Sequence, residues 1–215
     1  MKLKKRSKIN KNIIILGSKG MLGKNVNYHF QKKYKLILIN TKITPRNLNS
    51  VINSINKKKK SIIFNCIGAI PQKKIKDKDM FFSNYLITKK LSENLSKKHF
   101  LIHPSTDCVF DGKSKTAYKK NDETNAKDFY GITKLLSEKA LVNRKNTLIV
   151  RVSIIGKNTN TKKDLLTWFL YNKKKLNGYT NHYWNGITTL EWCKKIEHIL
   201  KFQKKSINSF KLIQL

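Results

Sequence analysis

The sequence predicts an α/β fold, a doubly wound parallel sheet with a small C-terminal part. Three observations carry that expectation. Short apolar runs alternate with helical segments along most of the chain. A glycine cluster follows directly on the first run. A hydroxyl-rich segment, Ser105-Thr106-Asp107, closes a later run, where the C-terminal edge of an open sheet places its ligands.

The elements follow in order. Asn12-Ile13-Ile14-Ile15-Leu16 is a short apolar run ending at Gly17, the pattern of a buried strand. Gly20 to about Lys33 reads as a helix, Lys35 to Ile39 as a second strand and Leu48 to Asn56 as a short helix. Ser61-Ile62-Ile63-Phe64-Asn65 is a third strand. From Phe81 to Lys98 the apolar positions Leu86, Leu91 and Leu95 fall on one side of a helix. Phe100 to His103 begins a fourth strand that ends near Ser105; Tyr130 to Val142 is helical, and Asn146 to Val152 is a further strand. After Gly156 the alternation weakens. Asp164 to Leu170 and Thr189 to Leu200 read as helices, with Thr188 or Thr189 as cap of the second and Glu191 in its first turn. Phe210 to Leu215 reads as a last strand. The domain reading is a basic lead-in at 1–11, a nucleotide-binding domain at 12–156 and a small substrate-binding part at 157–215 with a late strand.

The chain has 215 residues and a net charge of +35, enough length for one well-buried domain. No stretch approaches the roughly 20 apolar residues of a membrane span, and the basic N-terminus lacks the apolar core of a signal peptide. A cytoplasmic protein is expected. Cys66, Cys108 and Cys193 suggest neither a disulfide framework nor a zinc site, and the five histidines lack metal-ligand spacing, so no metal is expected. The charge comes from 43 lysines and only 4 arginines, spread over the whole chain beside 23 asparagines. Base and phosphate recognition by bidentate contacts favours arginine. This composition reads as the coding bias of an AT-rich genome rather than as a specific nucleic-acid interface.

Gly17-Ser18-Lys19-Gly20-Met21-Leu22-Gly23 joins the first strand to the first helix. Glycines there permit a tight turn and let the backbone approach a diphosphate at the helix N-terminus. The spacing is G-x-x-G-x-x-G, and the position marks a Rossmann-type nucleotide site. The second strand ends Ile39-Asn40-Thr41-Lys42, with Arg46 nearby and no carboxylate for a ribose 2′-hydroxyl. That favours a 2′-phosphate, hence NADPH with Lys42 as a contact, while NADH stays open.

Tyr130 and Lys134 stand four apart in Tyr130-Gly131-Ile132-Thr133-Lys134, on one face of a predicted helix. An ammonium beside a phenol favours the phenolate, so the spacing predicts a tyrosine of lowered pKa that can exchange a proton near neutral pH.

Taken in sequence, S-T-D-x-V-F-x-G from Ser105 to Gly112, an acidic stretch, and Y-G-x-T-K-x-x-x-E from Tyr130 to Glu138 resemble the extended short-chain dehydrogenase/reductases. More narrowly, they resemble the dTDP-4-dehydrorhamnose reductase family. Arg151 to Gly156 resembles the family's next strand and loop, and Asn185 to Glu191 a segment of its substrate-binding part. The resemblance implies an NADP-dependent reductase of a keto-sugar nucleotide, serving polysaccharide or cell-surface sugar synthesis. It implies Tyr130 as acid/base, Lys134 as its electrostatic partner and ribose contact, and Thr106 as the hydroxyl that orients the substrate carbonyl, with Ser105 the alternative in another register. Gly17, Ser18, Gly20, Met21, Leu22 and Gly23 would line the cofactor with Asn65, Cys66 and Ile67. Asp107, Ser153, Trp184 and Ser105 are the expected substrate contacts. Asn84 matches a helix asparagine that supports the lysine, or is a mere surface amide. The expected partner is a sugar nucleotide, with a homodimer allowed. Two other readings stay open: an NAD-dependent epimerase or dehydratase of the same superfamily, and a non-catalytic NADP-binding subunit. Cys108 departs from the family pattern, where an aromatic is common, and the chain is shorter than family members usually are.

Overall fold

A computed structural model describes residues 12–157, 164–172, 175–181, 183–202 and 210–215. The basic lead-in at 1–11 lies outside them. Strands β1 (Asn12–Leu16), β2 (Lys35–Ile39), β3 (Ser61–Asn65), β4 (Phe100–Pro104) and β5 (Thr147–Arg151) alternate with helices α1 (Met21–Phe30), α2 (Leu48–Asn56), α3 (Asp77–Phe81), α4 (Ile87–Asn94) and α5 (Phe129–Leu141). The chain continues through β6 (Ile154–Ile155), α6 (Leu165–Tyr171), β7 (Ile187–Thr188), α7 (Thr189–Phe202) and β8 (Phe210–Gln214). A turn of π-helix, Phe82–Leu86, joins α3 to α4.

The main sheet runs β2-β1-β3-β4-β5-β8, parallel throughout. Because the chain leaves β1 for β2 and then returns to β3 on the other side, the strand order reverses between β1 and β3. That switch point opens a crevice at the C-terminal strand ends. The Gly17 turn and the loop after Asn65 meet there.

Side chains alternate between faces along each strand. Ile13, Ile15, Phe64, Ile102 and Val150 bury one face against Val26 and Phe30 of α1 and Trp192 and Ile196 of α7. Ile14, Leu16, Ile63, Leu101 and Ile149 bury the other against α2, Ile87 and Leu91 of α4, and Leu141 of α5. Apolar side chains on both faces explain why the strands read as continuous apolar runs.

The C-terminal residues join this frame. β8 pairs with β5 as the sixth strand of the main sheet. α7 lies on α1, where Glu197 bonds His29 at 2.8 Å and Lys33 at 2.7 Å. Thr188 caps α7, its hydroxyl accepting from the Glu191 amide at 3.1 Å. The two-residue strands β6 and β7 pair in a second small sheet, too short for a periodicity to announce. Among the described residues no helix is long and apolar enough to cross a membrane.

Candidate active site

The glycine turn is shaped by close backbone approach. Gly17 has φ +73°, and a Cβ there would stand 2.8 Å from the Cys66 carbonyl. A Cβ on Gly23 would meet the Gly17 oxygen at 2.2 Å. Only glycine lets the turn fold onto both β3 and the start of α1. The N-terminus of α1 has no side-chain cap and no acidic residue in its first turn, so its amides and dipole face the crevice without a competing anion. Ser18 is buried and its hydroxyl donates to Asn40 Oδ1 at 3.1 Å, tying the turn to the end of β2. Lys42 is exposed just beyond.

A polar layer stands at the C-terminal ends of the next strands. By the alternation that sends Ile63, Leu101 and Ile149 toward α4 and α5, Asn65, His103 and Arg151 point to that side also. Arg151 and Glu138 of α5 form a buried ion pair, with Nη2 2.7 Å from Oε2 and Nε within 3.0 Å of Oε1. Ser105 donates to the same Glu138 at 2.5 Å. The guanidinium also bonds the Lys120 carbonyl at 3.0 Å and lies over the Phe110 ring, itself stacked on Tyr118. Ser105, an expected substrate contact, is buried with its hydroxyl engaged by Glu138, and it braces the strand end beneath Thr106.

Thr106 begins a 3-10 turn (Asp107–Val109), its hydroxyl accepting from the Cys108 amide at 3.2 Å and lying 3.1 Å from Asp107 Oδ1. The N-terminus of α5 packs on this turn. Asp128 caps the helix, its carboxylate accepting from the Gly131 amide at 2.6 Å. A Cβ on Gly131 would stand 2.2 Å from the Cys108 carbonyl oxygen, so the glycine after the tyrosine is what lets Tyr130 come down beside Thr106.

Tyr130 and Lys134 share this face, yet their electrostatics differ from the expectation. The Tyr130 phenol is pushed up: burial is the main cause, with Cys108, Asp107 and Asp128 adding to it and the nearby Thr106 hydroxyl opposing. The bonds of Lys134 go to other groups. Its side chain is buried, and its ammonium donates to the Pro104 carbonyl at 2.6 Å, with His103 Nε2 at 3.5 Å. Burial lowers its pKa to about 8, against a raising contribution from Glu138. The expected lowering of the tyrosine therefore fails here: burial dominates, and the cation bonds Pro104 and His103 rather than the phenol.

Asn84 sits in the π-helical turn and is buried. Its amide accepts from the Ala69 amide at 2.7 Å and donates to Ala69 O at 3.1 Å and to Thr133 Oγ1 at 3.0 Å. It is no surface amide: it joins the loop after β3 to α5, one residue from Lys134. Ser153 and Trp184 also come together, the indole donating to the Ser153 hydroxyl at 2.7 Å with half its surface exposed. The Asn65 side chain points away from the glycine turn, to Thr88 at 3.3 Å and His103 at 3.2 Å. Cys66 is held protonated by burial and by Cys193. Gly131, Glu138 and His103 are the residues a reading of pair spacings passes over. Period two along β4, placing His103 on the face of Leu101, is the signal that finds the last.

No curated protein matches the chain. Solved structures share its fold. A dTDP-4-dehydrorhamnose reductase from Clostridium acetobutylicum superposes with TM-score 0.76 at 20% identity, over 95% of this chain and 73% of that one. The same enzyme from Bacillus anthracis, in complex with NADP, gives 0.77 at 16% identity over 95% and 74%. A dTDP-glucose 4,6-dehydratase from Bacillus anthracis, in complex with NAD, gives 0.75 at 17% over 95% and 75%. The family model for the RmlD substrate binding domain matches residues 11–177, more than half of the sequence, and the chain belongs to that family.

Proposed function

We propose that this protein is an NADP-dependent reductase of a keto-sugar nucleotide, with Thr106, Tyr130 and Lys134 as its catalytic residues. The observation that carries the reading is the convergence of the three on one strand end and one helix face. Gly131 gives up its side chain to make that contact possible.

The residues around the β1–β3 crevice suit a dinucleotide. The cradle at Gly17 and Gly23, where any Cβ would strike backbone, and the uncapped start of α1 match a diphosphate. Asn40, fixed by Ser18, and Lys42 beyond it supply neutral and cationic donors where a carboxylate would select NAD, which favours a 2′-phosphate. The NADP-bound relative supports the same choice. When bound, the cofactor supplies the hydride.

The chain's own work is proton transfer and orientation. A phenol kept protonated by burial and by Asp107 and Asp128 is a donor charged with its proton before the reaction starts. As negative charge develops on a carbonyl oxygen, the Tyr130 hydroxyl gives up that proton. Thr106 turns its hydroxyl from Asp107 to donate to the same oxygen. Lys134 holds a positive charge under the site and stabilises the phenolate that forms. Trp184, anchored by Ser153, offers an exposed aromatic face for the nucleotide or sugar.

The test is NADPH oxidation by the full chain with 4-keto-6-deoxy sugars linked to dTDP, UDP or GDP. Turnover with at least one is expected, and Tyr130→Phe should remove it. No turnover across all three, or full activity in Tyr130→Phe, overturns the reading. Tightly held NAD that is recycled rather than consumed would assign the site to an epimerase or dehydratase instead.

A further inference from the structure

We propose that His103 is a positioning residue for Lys134, a buried neutral imidazole that accepts from the ammonium through Nε2 and is fixed through Nδ1 by Asn65. The inference rests on the reading of Lys134 as a catalytic residue, and it adds a link from the end of β3 to that residue.

His103 is 1% exposed on β4, with Asn65 of β3 3.2 Å from Nδ1 and Lys134 of α5 3.5 Å from Nε2. The second contact is long, but the site leaves the imidazole few choices. Burial and the adjacent ammonium both oppose a charged ring. A charged Lys134 offers hydrogens only, so Nε2 must accept, and the ring hydrogen must sit on Nδ1. Asn65 then has to present its carbonyl oxygen to that hydrogen. The amide has one unbonded buried end, Oδ1, with Nδ2 facing the ring and Thr88. Its two ends are alike in shape, and turning it over supplies the acceptor, provided the Thr88 hydroxyl turns its one hydrogen from Asn84 O to the same amide oxygen.

The consequence is directional. Pro104 O takes one ammonium hydrogen and His103 a second, which leaves the third for the tyrosine and the ribose. The groups around His103 are few. α5 contributes Lys134, whose charge opposes a charged ring, and Glu138, which is paired with Arg151 of β5 and acts on that lysine. Asp107 follows Thr106 in the turn after β4, while β3 and α4 present the neutral Asn65 and Thr88. A carboxylate in place of the imidazole would cancel the lysine's charge. A neutral acceptor orients it and leaves the charge available.

Two measurements test this on the full chain. Nitrogen NMR of the histidine rings, with His103 identified by its absence in His103→Gln, should show a neutral Nδ1–H ring whose Nε2 signal moves in Lys134→Met. An Nε2–H ring, a charged ring at neutral pH, or a signal indifferent to Lys134→Met overturns the proposal, whatever the protein turns over. In steady-state reduction, His103→Leu should lower kcat about tenfold with little change in KM. Its alkaline limb should move to lower pH, because losing an acceptor disfavours the ammonium. His103→Gln, which keeps an acceptor, should recover most of the loss. If Lys134→Met abolishes activity while His103→Leu leaves rate and pH profile unchanged, the positioning role is wrong and the reductase reading stands. If Lys134→Met and Tyr130→Phe stay fully active, the reductase reading falls, and the NMR result alone decides the His103 contact.

Discussion

Replacing Gly131 by alanine probes the site through one methyl group that touches no substrate. The new Cβ would lie 2.2 Å from the Cys108 carbonyl oxygen, 3.1 Å from its carbon and 3.0 Å from the Ala126 Cβ. Carbon and oxygen in contact need about 1 Å more than that first distance, and the obstacle is backbone, so it cannot rotate aside. Either the 3-10 turn carrying Thr106 or the first turn of α5 carrying Tyr130 must withdraw by on the order of 1 Å. A misplacement of that size costs about a hundredfold in rate, or roughly 2.7 kcal/mol of transition-state stabilisation. Stability should change less. Overpacking costs about 1–3 kcal/mol, while alanine gains up to about 1 kcal/mol over glycine in a helix. The assay is kcat for NADPH-dependent reduction beside the NADPH dissociation constant by fluorescence titration. Loss of kcat with unchanged cofactor affinity is expected, because the glycine turn after β1 is a separate element. A variant with kcat within twofold of the parent would refute the claim that this close approach sets the Tyr130–Thr106 geometry.

Three further perturbations address other parts of the molecule. Gly17→Ala meets both a left-handed backbone and the Cys66 carbonyl at 2.8 Å, so NADPH affinity should fall at least about tenfold; unchanged affinity in a titration would remove the cradle from the cofactor site. Glu138→Ala leaves Arg151 buried beside Ser105 without its counter-charge, at a cost of about 3–5 kcal/mol, and the melting temperature should drop by on the order of 10 °C. Glu197 is opposed by burial but held down by Lys33, Lys201 and His29, with its pKa lowered to about 2. A depressed carboxylate pKa gives stability that is present above the unfolded value near 4.5 and lost as pH falls toward 2. Glu197→Gln should flatten the acid denaturation curve in that window, and an unaltered curve would deny the α1–α7 cluster its role.

Much of the fold could be read from the chain because its information is local. Five short apolar runs, each bounded by polar or turn residues, read as strands of a sheet covered on both faces. The helix at 48–56 and the strand at 61–65 fall where their periodicity puts them. What escapes is non-local. Nothing in Phe210 to Leu215 says that it pairs with β5, 63 positions earlier from Thr147 to Phe210. Thr106, Tyr130 and Lys134 are legible as residue types at family positions, but the direction of a lysine's ammonium is a tertiary fact. So is the engagement of Ser105 by Glu138. Asn84 shows the same limit from the other side: in an asparagine-rich chain its letter carries little, and its significance comes from the π-helical turn that carries it.

The protonated phenol of Tyr130 sets where the proposed chemistry begins. Adjacent spacing of tyrosine and lysine suggests that the cation lowers the phenol, making phenolate easy to reach. Here the cation is drawn toward Pro104 and His103, and the carboxylates of Asp107 and Asp128 stand near the phenol. Burial above all, and these carboxylates with it, oppose the phenolate, which is the wrong state for a reductase to start from. A reductase needs the proton in place at the start and needs charge stabilisation only as the proton leaves. A lysine whose own pKa is about 8 is charged at neutral pH. It is also a short movement from the phenol, one helical turn away on the same face. The same geometry predicts an asymmetry: oxidation, which must begin by removing a proton through Tyr130, should require a markedly higher pH than reduction. Measuring both directions over the same pH range would show it. Coincident pH profiles would mean that Lys134 already stabilises the phenolate in the resting site, and the electrostatic account would have to be abandoned.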